Sequence, residues 1–144
     1  MNLPLLKQLT EAHGVPGQED AIRDIVRTAL NGKCEFETDL MGNLTCFREG
    51  KGKMDRKKLM LAAHMDEIGF IVKFIDDKGF LRLQPLGGWD PRQMASQRVK
   101  VHTMKAILNG VLMAGQKPKH LLTPDEMNKP VTTDSYFVDC GLSG

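Results

Sequence analysis

Leu59-Met60-Leu61-Ala62-Ala63-His64-Met65-Asp66-Glu67-Ile68 is the stretch on which the reading of this chain turns. A continuous apolar run from Leu59 to Ala63, bounded by charged residues, predicts a strand buried on both faces in a sheet covered by helices. Such a strand delivers His64 at its carboxyl end, where sites form in open α/β sheets. In an extended segment, side chains two residues apart project toward the same face. The Asp66 carboxylate can then reach one imidazole nitrogen of His64 while the other nitrogen binds a metal ion. The spacing alone also fits a surface loop with a local hydrogen bond, because H-x-D is a short pattern with many accidental matches.

Toward the amino terminus, Leu3, Leu5, Leu6 and Leu9 form the apolar face of a short helix that ends before the breaker-rich His13-Gly14-Val15-Pro16-Gly17. From Gln18, Ala21, Ile22, Ile25, Val26, Ala29 and Leu30 recur at helical spacing, with Glu19 and Asp20 in the first turn and Asn31-Gly32 closing the end. Glu35 to Thr38 and Leu44 to Phe47, separated by turn residues at Gly42-Asn43, predict a hairpin or two adjacent strands. The basic run Lys51 to Lys58, interrupted by Gly52, Met54 and Asp55, reads as a solvated loop.

Beyond Glu67 the pattern changes. Ile68 to Ile75 and Phe80 to Leu86 flank a turn at Asp76 to Gly79 and predict a hairpin. Further strands are expected at Arg98 to Thr103, Lys105 to Met113 and Tyr136 to Cys140, with one capped helical turn at Thr123-Pro124-Asp125-Glu126. Closely spaced short strands suggest a small barrel or sandwich, and a domain boundary falls near residue 67.

The 144 residues are 41% hydrophobic and 26% charged, inside the globular range. A net charge of +2 lacks the one-sided field of a dedicated nucleic-acid binder, and no run approaches the roughly 18 apolar residues needed to cross a bilayer. Cys34, Cys46 and Cys140 are odd in number, widely spaced and form no C-x-x-C pair, so neither a disulfide framework nor a zinc finger is suggested. No signal-peptide pattern opens the chain, and a soluble cytoplasmic protein in a reducing compartment is expected. His13 and His102 read as a loop and an outward strand position, and His120 as structural. Trp89 reads as a packing or interface residue, and Cys140, with no histidine nearby in sequence, as a poor nucleophile.

Several blocks together carry a resemblance: Leu9 to Glu19, Asp39-Leu40-Met41-Gly42-Asn43-Leu44, Leu61 to Phe70, Leu86-Gly87-Gly88-Trp89, and Gly110 to Leu122 with Lys117-Pro118-Lys119-His120-Leu121-Leu122 as its clearest part. In these the chain resembles the dinuclear-metal aminopeptidases, the family of glutamyl, deblocking and tetrahedral aminopeptidases. The resemblance implies an α/β fold, with residues 1–67 as the opening part of an α/β/α metallopeptidase catalytic domain. Residues 68–144 would then be most of an inserted, small β-barrel-like domain serving oligomerisation and access, incomplete within this chain. It further implies a metal-dependent aminopeptidase, a homo-oligomer acting on peptide substrates with two divalent ions, zinc or cobalt. His64 would be a metal ligand, and Asp66 the residue that orients it and supports catalysis. In that family the bridging aspartate, the general-base glutamate, the remaining carboxylate ligands and a final histidine lie past the position of residue 144. This chain alone is therefore expected to hold at most one weak metal site and to be inactive. The alternative reading is a non-catalytic assembly or binding module derived from such an enzyme. No nucleic acid and no membrane is expected as a partner.

Overall fold

Asn2 opens the first helix, its side-chain oxygen accepting the Leu5 N–H at 3.2 Å, with a proline in the first turn, where a missing N–H goes unnoticed. In the computed structural model, which describes residues 2–52, 57–117 and 119–142, this helix, α1, spans Leu3–Glu11. The second, α2 (Asp20–Ala29), has Asp20 in its first turn and Arg27 in its last, each matched to the helix dipole, and buries Ile22. Among the described residues no helix is long and apolar enough to cross a membrane.

After Gly32, at φ +70°, the chain enters β1 (Glu35–Thr38) and returns as β2 (Leu44–Phe47), in antiparallel register Phe36↔Cys46 and Thr38↔Leu44. Asp39 builds the turn: one carboxylate oxygen accepts the Met41 and Asn43 N–H groups at 2.9 Å, and the other accepts from the Asn43 side chain at 2.8 Å. The Asn43 side-chain and backbone donors, ahead of those from Met41 and Gly42, hold this carboxyl below its ordinary range. Arg23 and Arg27 tie α2 to the hairpin, through the Gly42 carbonyl at 3.1 Å and the Thr38 hydroxyl at 2.6 Å. The basic run is exposed at Lys51, Gly52, Lys57 and Lys58, and residues 53–56 lie outside the described residues.

The expected buried strand at Leu59–Ala63 is not formed. Residues 57–68 have no regular secondary structure, and Leu59, Met60 and Leu61 are 86%, 86% and 88% exposed. A central strand requires hydrogen-bonded neighbours on its edges and layers on both faces. Among the described residues the first unit offers one two-stranded sheet, β1–β2, which does not pair with this run.

The chain divides into two compact units, Met1–Glu67 and Ile68–Gly144. The second is built on a five-stranded antiparallel sheet of β3 (Gly69–Ile75), β4 (Leu81–Leu86), β5 (Arg98–His102), β6 (Ile107–Ala114) and β7 (Tyr136–Asp139), in the order β3-β4-β7-β6-β5. A bulge between Val72 and Phe74 shifts the β3–β4 register, and their turn is closed by Gly79, at φ +81°, whose N–H donates to the Asp76 carbonyl, and by the Asp76 carboxylate, which accepts the Lys78 and Phe80 N–H groups. The sheet is open among the described residues: β3 and β5 are its two edges and do not pair, so the expected barrel does not close here. Leu81, Leu83, Met94, Leu112, Tyr136 and Val138 form the core, with Met94, Leu112 and Val138 wholly enclosed. Each such side chain contributes about 1.5–3 kcal/mol by leaving water. Trp89 stacks on Phe70 at 4.4 Å and donates to the Gly69 carbonyl at 3.0 Å, so it packs against the start of β3. The short helix α3 (Pro124–Met127) carries a full capping box, Thr123 and Glu126 serving each other's backbone N–H.

Candidate metal centre

The segment after the unformed strand is held from the other side of its unit. Glu67 accepts the Gly14 N–H on Oε1 at 3.1 Å and returns its own N–H to the Gly14 carbonyl at 2.8 Å. Gly14 is required there, because a Cβ at that position would stand 2.8 Å from Ile22 Cγ1. The loop after α1 thus lies against α2 and anchors the residues that carry His64. Neither residue was singled out from the sequence, since 53 positions separate them and no local pattern links a loop glycine to a distant carboxylate.

On that anchored segment, His64 Nδ1 lies 3.0 Å from the Asp66 carbonyl oxygen and 3.2 Å from its carboxylate Oδ1. Both neighbours are oxygens that only accept, so Nδ1 carries the proton and donates. The lone pair of the neutral ring is then on Nε2, the form in which imidazole binds a metal. The side chain of His64 is 84% exposed and that of Asp66 44%. Beside the imidazole lies an open cavity of about 410 Å³, walled by Leu9, Ile22, Val26, Leu44, Ala63 and Met65.

Among the described residues no three histidine, cysteine, aspartate or glutamate side chains are grouped so as to hold a metal ion. One oriented imidazole fits a single ligand position and cannot by itself hold a pair of ions. The remaining histidines stand elsewhere: His13 just after α1, His102 at the end of β5, and His120 exposed in a single helical turn, Lys119–Leu121, rather than packed as a structural residue. Burial, and then the Asp139 charge, push the Cys140 thiol up, against a role as a nucleophile.

The profile of the M42 glutamyl aminopeptidase family matches residues 42–144. This chain belongs to that family. A second profile, AMPT, matches residues 2–25. The M42 chain is 37% identical over 143 residues to the lysyl aminopeptidase of Pyrococcus furiosus, across 96% of its own length and 39% of that protein's. The crystal structure of the TET aminopeptidase from a marine sediment Thaumarchaeota archaeon matches it with a TM-score of 0.88 at 35% identity, over 99% of this chain and 38% of that one. The TET1 peptidase of Pyrococcus horikoshii, described as assembling into a tetrahedron or a large octahedral shell, matches with a TM-score of 0.81 at 29% identity, over 99% of this chain and 41% of that one. The fold is thus the α/β fold of these aminopeptidases, and the chain spans about two fifths of the relatives' length.

Proposed function

We propose that this chain supplies part of a metal-dependent aminopeptidase that releases amino-terminal residues from peptides. His64 would bind one of two divalent ions, zinc or cobalt, and Asp66 would orient it. The observation that carries the reading is the Nδ1–carboxylate contact, which leaves Nε2 as the donor atom inside a segment matched by the family profile. The ion pair, when bound, supplies Lewis acidity and an activated water. The chain's own contribution is positional. Asp66 fixes the ring tautomer, while Glu67 and Gly14 hold the segment in place. Residues 1–67 belong, on this reading, to the α/β/α catalytic domain, and residues 68–144 to a domain that serves assembly and access. A homo-oligomer is supported by the TET1 neighbour, and peptide substrates by the relatives' names.

Cobalt titration of the 144-residue chain, alongside His64→Ala and Asp66→Asn, tests the metal assignment. One weak site is expected, lost in His64→Ala and weakened about 10- to 100-fold in Asp66→Asn. Binding that is unchanged by His64→Ala would remove the ligand assignment. A tight, stoichiometric two-ion isotherm would remove the view that the chain holds one ligand position. Glutamyl and lysyl para-nitroanilides, offered to the native protein purified from its source, test the peptidase reading. No turnover with metal bound would leave the assembly-module alternative in its place.

A further inference from the structure

Asparagine followed by glycine occurs twice in the chain, at Asn31-Gly32 and Asn109-Gly110, and the fold places the two pairs in opposite circumstances. Asn31-Gly32 is exposed in the turn between the end of α2 and β1. Among the described residues no acceptor holds the Gly32 N–H and no partner holds the Asn31 side chain. The flanking N–H groups of Asn31 and Lys33 do donate, to the Thr28 and Leu30 carbonyls at 3.4 and 2.9 Å. Apart from its chain neighbours, nothing lies within 4 Å of the place where a Cβ on Gly32 would stand, so no other part of the fold crowds this glycine. Asn109-Gly110 lies inside β6. The Leu112 N–H bonds the Gln97 carbonyl and the Thr103 N–H bonds the Ala106 carbonyl, which sets the parity of the β5–β6 ladder. In that register Gly110, opposite Val99, occupies a bonded position and gives its N–H to the Val99 carbonyl. Gly110 is also buried, and a Cβ on it would stand 2.5 Å from Val138 Cγ1.

We propose that Asn31 is a deamidation site, a spontaneous modification that leaves aspartate and isoaspartate at the junction of α2 and β1. Base takes the Gly32 amide proton, and the nitrogen's electron pair attacks the Asn31 side-chain carbonyl carbon. The bond from Gly32 N to Asn31 Cγ forms, the Cγ–Nδ2 bond breaks, and the side-chain nitrogen leaves as ammonia with the proton that the amide gave up. Water then opens the resulting cyclic succinimide. Attack at Cγ restores the ordinary backbone with an aspartate, and attack at the main-chain carbonyl gives isoaspartate. Nothing is oxidised or reduced, and water is the only co-reactant. Glycine favours the step at residue 32, because it has no side chain to hinder ring closure and its N–H has no hydrogen bond to give up. At Asn109 the same closure requires the Gly110 N–H to leave the ladder, which happens only when β6 opens. Either product at residue 31 puts a carboxylate just past the last turn of α2, against the negative end of its dipole. The isoaspartyl form also lengthens the main chain by one methylene ahead of β1, which works against the Arg23–Gly42 and Arg27–Thr38 bonds that tie the hairpin to α2. The site is a slow clock on the first unit. The inference does not depend on the aminopeptidase reading, and its test reads no activity.

The native protein is incubated at mildly alkaline pH, in buffer and in urea, and digested for peptide mapping that separates the asparaginyl, aspartyl and isoaspartyl forms of each peptide. In the folded protein Asn31 is expected to react within about threefold of its rate in urea, and Asn109 at least about tenfold more slowly than in urea. Isoaspartate at residue 31 marks the cyclic route, because direct hydrolysis of the side chain yields aspartate alone. Asn31→Gln keeps an exposed carboxamide but lengthens the reach to the Gly32 nitrogen by one methylene. It should abolish the reaction at residue 31 over the same incubation and leave the rate at Asn109 unchanged. Equal protection of the two asparagines by the fold, or loss of the Asn31 amide without isoaspartate, would each overturn the proposal.

Discussion

Gly110 sits in β6 directly against the enclosed Val138 of β7, and its replacement by alanine is a sharp test of how the second unit is packed. A Cβ built there would stand 2.5 Å from Val138 Cγ1 and 3.3 Å from both the Asp139 carbonyl oxygen and Cys140 Sγ. Val138 is 2% exposed and β-branched, so it has no free rotamer into which to retreat. Overpacking of this kind costs about 1–3 kcal/mol. Removing a strand glycine returns about 0.5–1 kcal/mol of backbone entropy, so the clash wins and the net loss is about 0.5–2 kcal/mol. With a urea m-value of about 1 kcal/mol/M for a unit of this size, the midpoint falls by roughly 0.5–2 M. The assay is intrinsic fluorescence, because Trp89 is the sole tryptophan and is stacked on Phe70 inside this unit. In a Val138→Ala background the blocking methyl is gone and the penalty of Gly110→Ala should shrink to under about 0.5 kcal/mol. A midpoint for Gly110→Ala within about 0.2 M of the unsubstituted protein, or an equal penalty in both backgrounds, would refute the packing argument.

Two further outcomes are expected. Lys117, and then the Thr123 backbone and hydroxyl, pull Glu126 from its ordinary value down to about 2. Its folded-state pKa is depressed, so the capping box is fully formed above about pH 4.5 and is lost as pH falls toward 2; a side-chain carboxyl shift in NMR that titrates near pH 4.5 would contradict this. Glu67→Ala removes the acceptor of the Gly14 N–H, and the exchange of that amide should quicken by about tenfold, as for loss of one hydrogen bond worth about 1.4 kcal/mol. Unchanged exchange would mean that the loop is held by other contacts.

The parts of the fold that were legible in the sequence are those whose causes are local. The Asp39–Asn43 turn and the Asp76–Gly79 turn are set by one aspartate and one glycine each, and they fix the hairpins on either side. The capping box at Thr123–Glu126 lies within four residues and was equally plain. Leu59–Ala63 was misread because an apolar run states only that burial is available. Whether it pairs depends on neighbours that the run does not encode, and no described strand pairs with it. The His64–Asp66 contact followed from two-residue spacing even without a strand, since it needs only a short extended stretch. The Glu67–Gly14 anchor is a product of folding at a distance and has no sequence signature of its own.

The order of strands in the second unit sets a timetable for synthesis. Of the described strands, β7 is made last, and it lies in the middle of the sheet, between β4 and β6. Until the ribosome has extruded Tyr136–Asp139, the β3–β4 and β5–β6 hairpins have no bridge between them, and isolated hairpins are marginal in water. Val138 and Tyr136 then enter together as the keystone of both halves. A nascent chain stalled or clipped before residue 136 would therefore present two loose ribbons to quality control, without the Tyr136 and Val138 side chains that join them in one core.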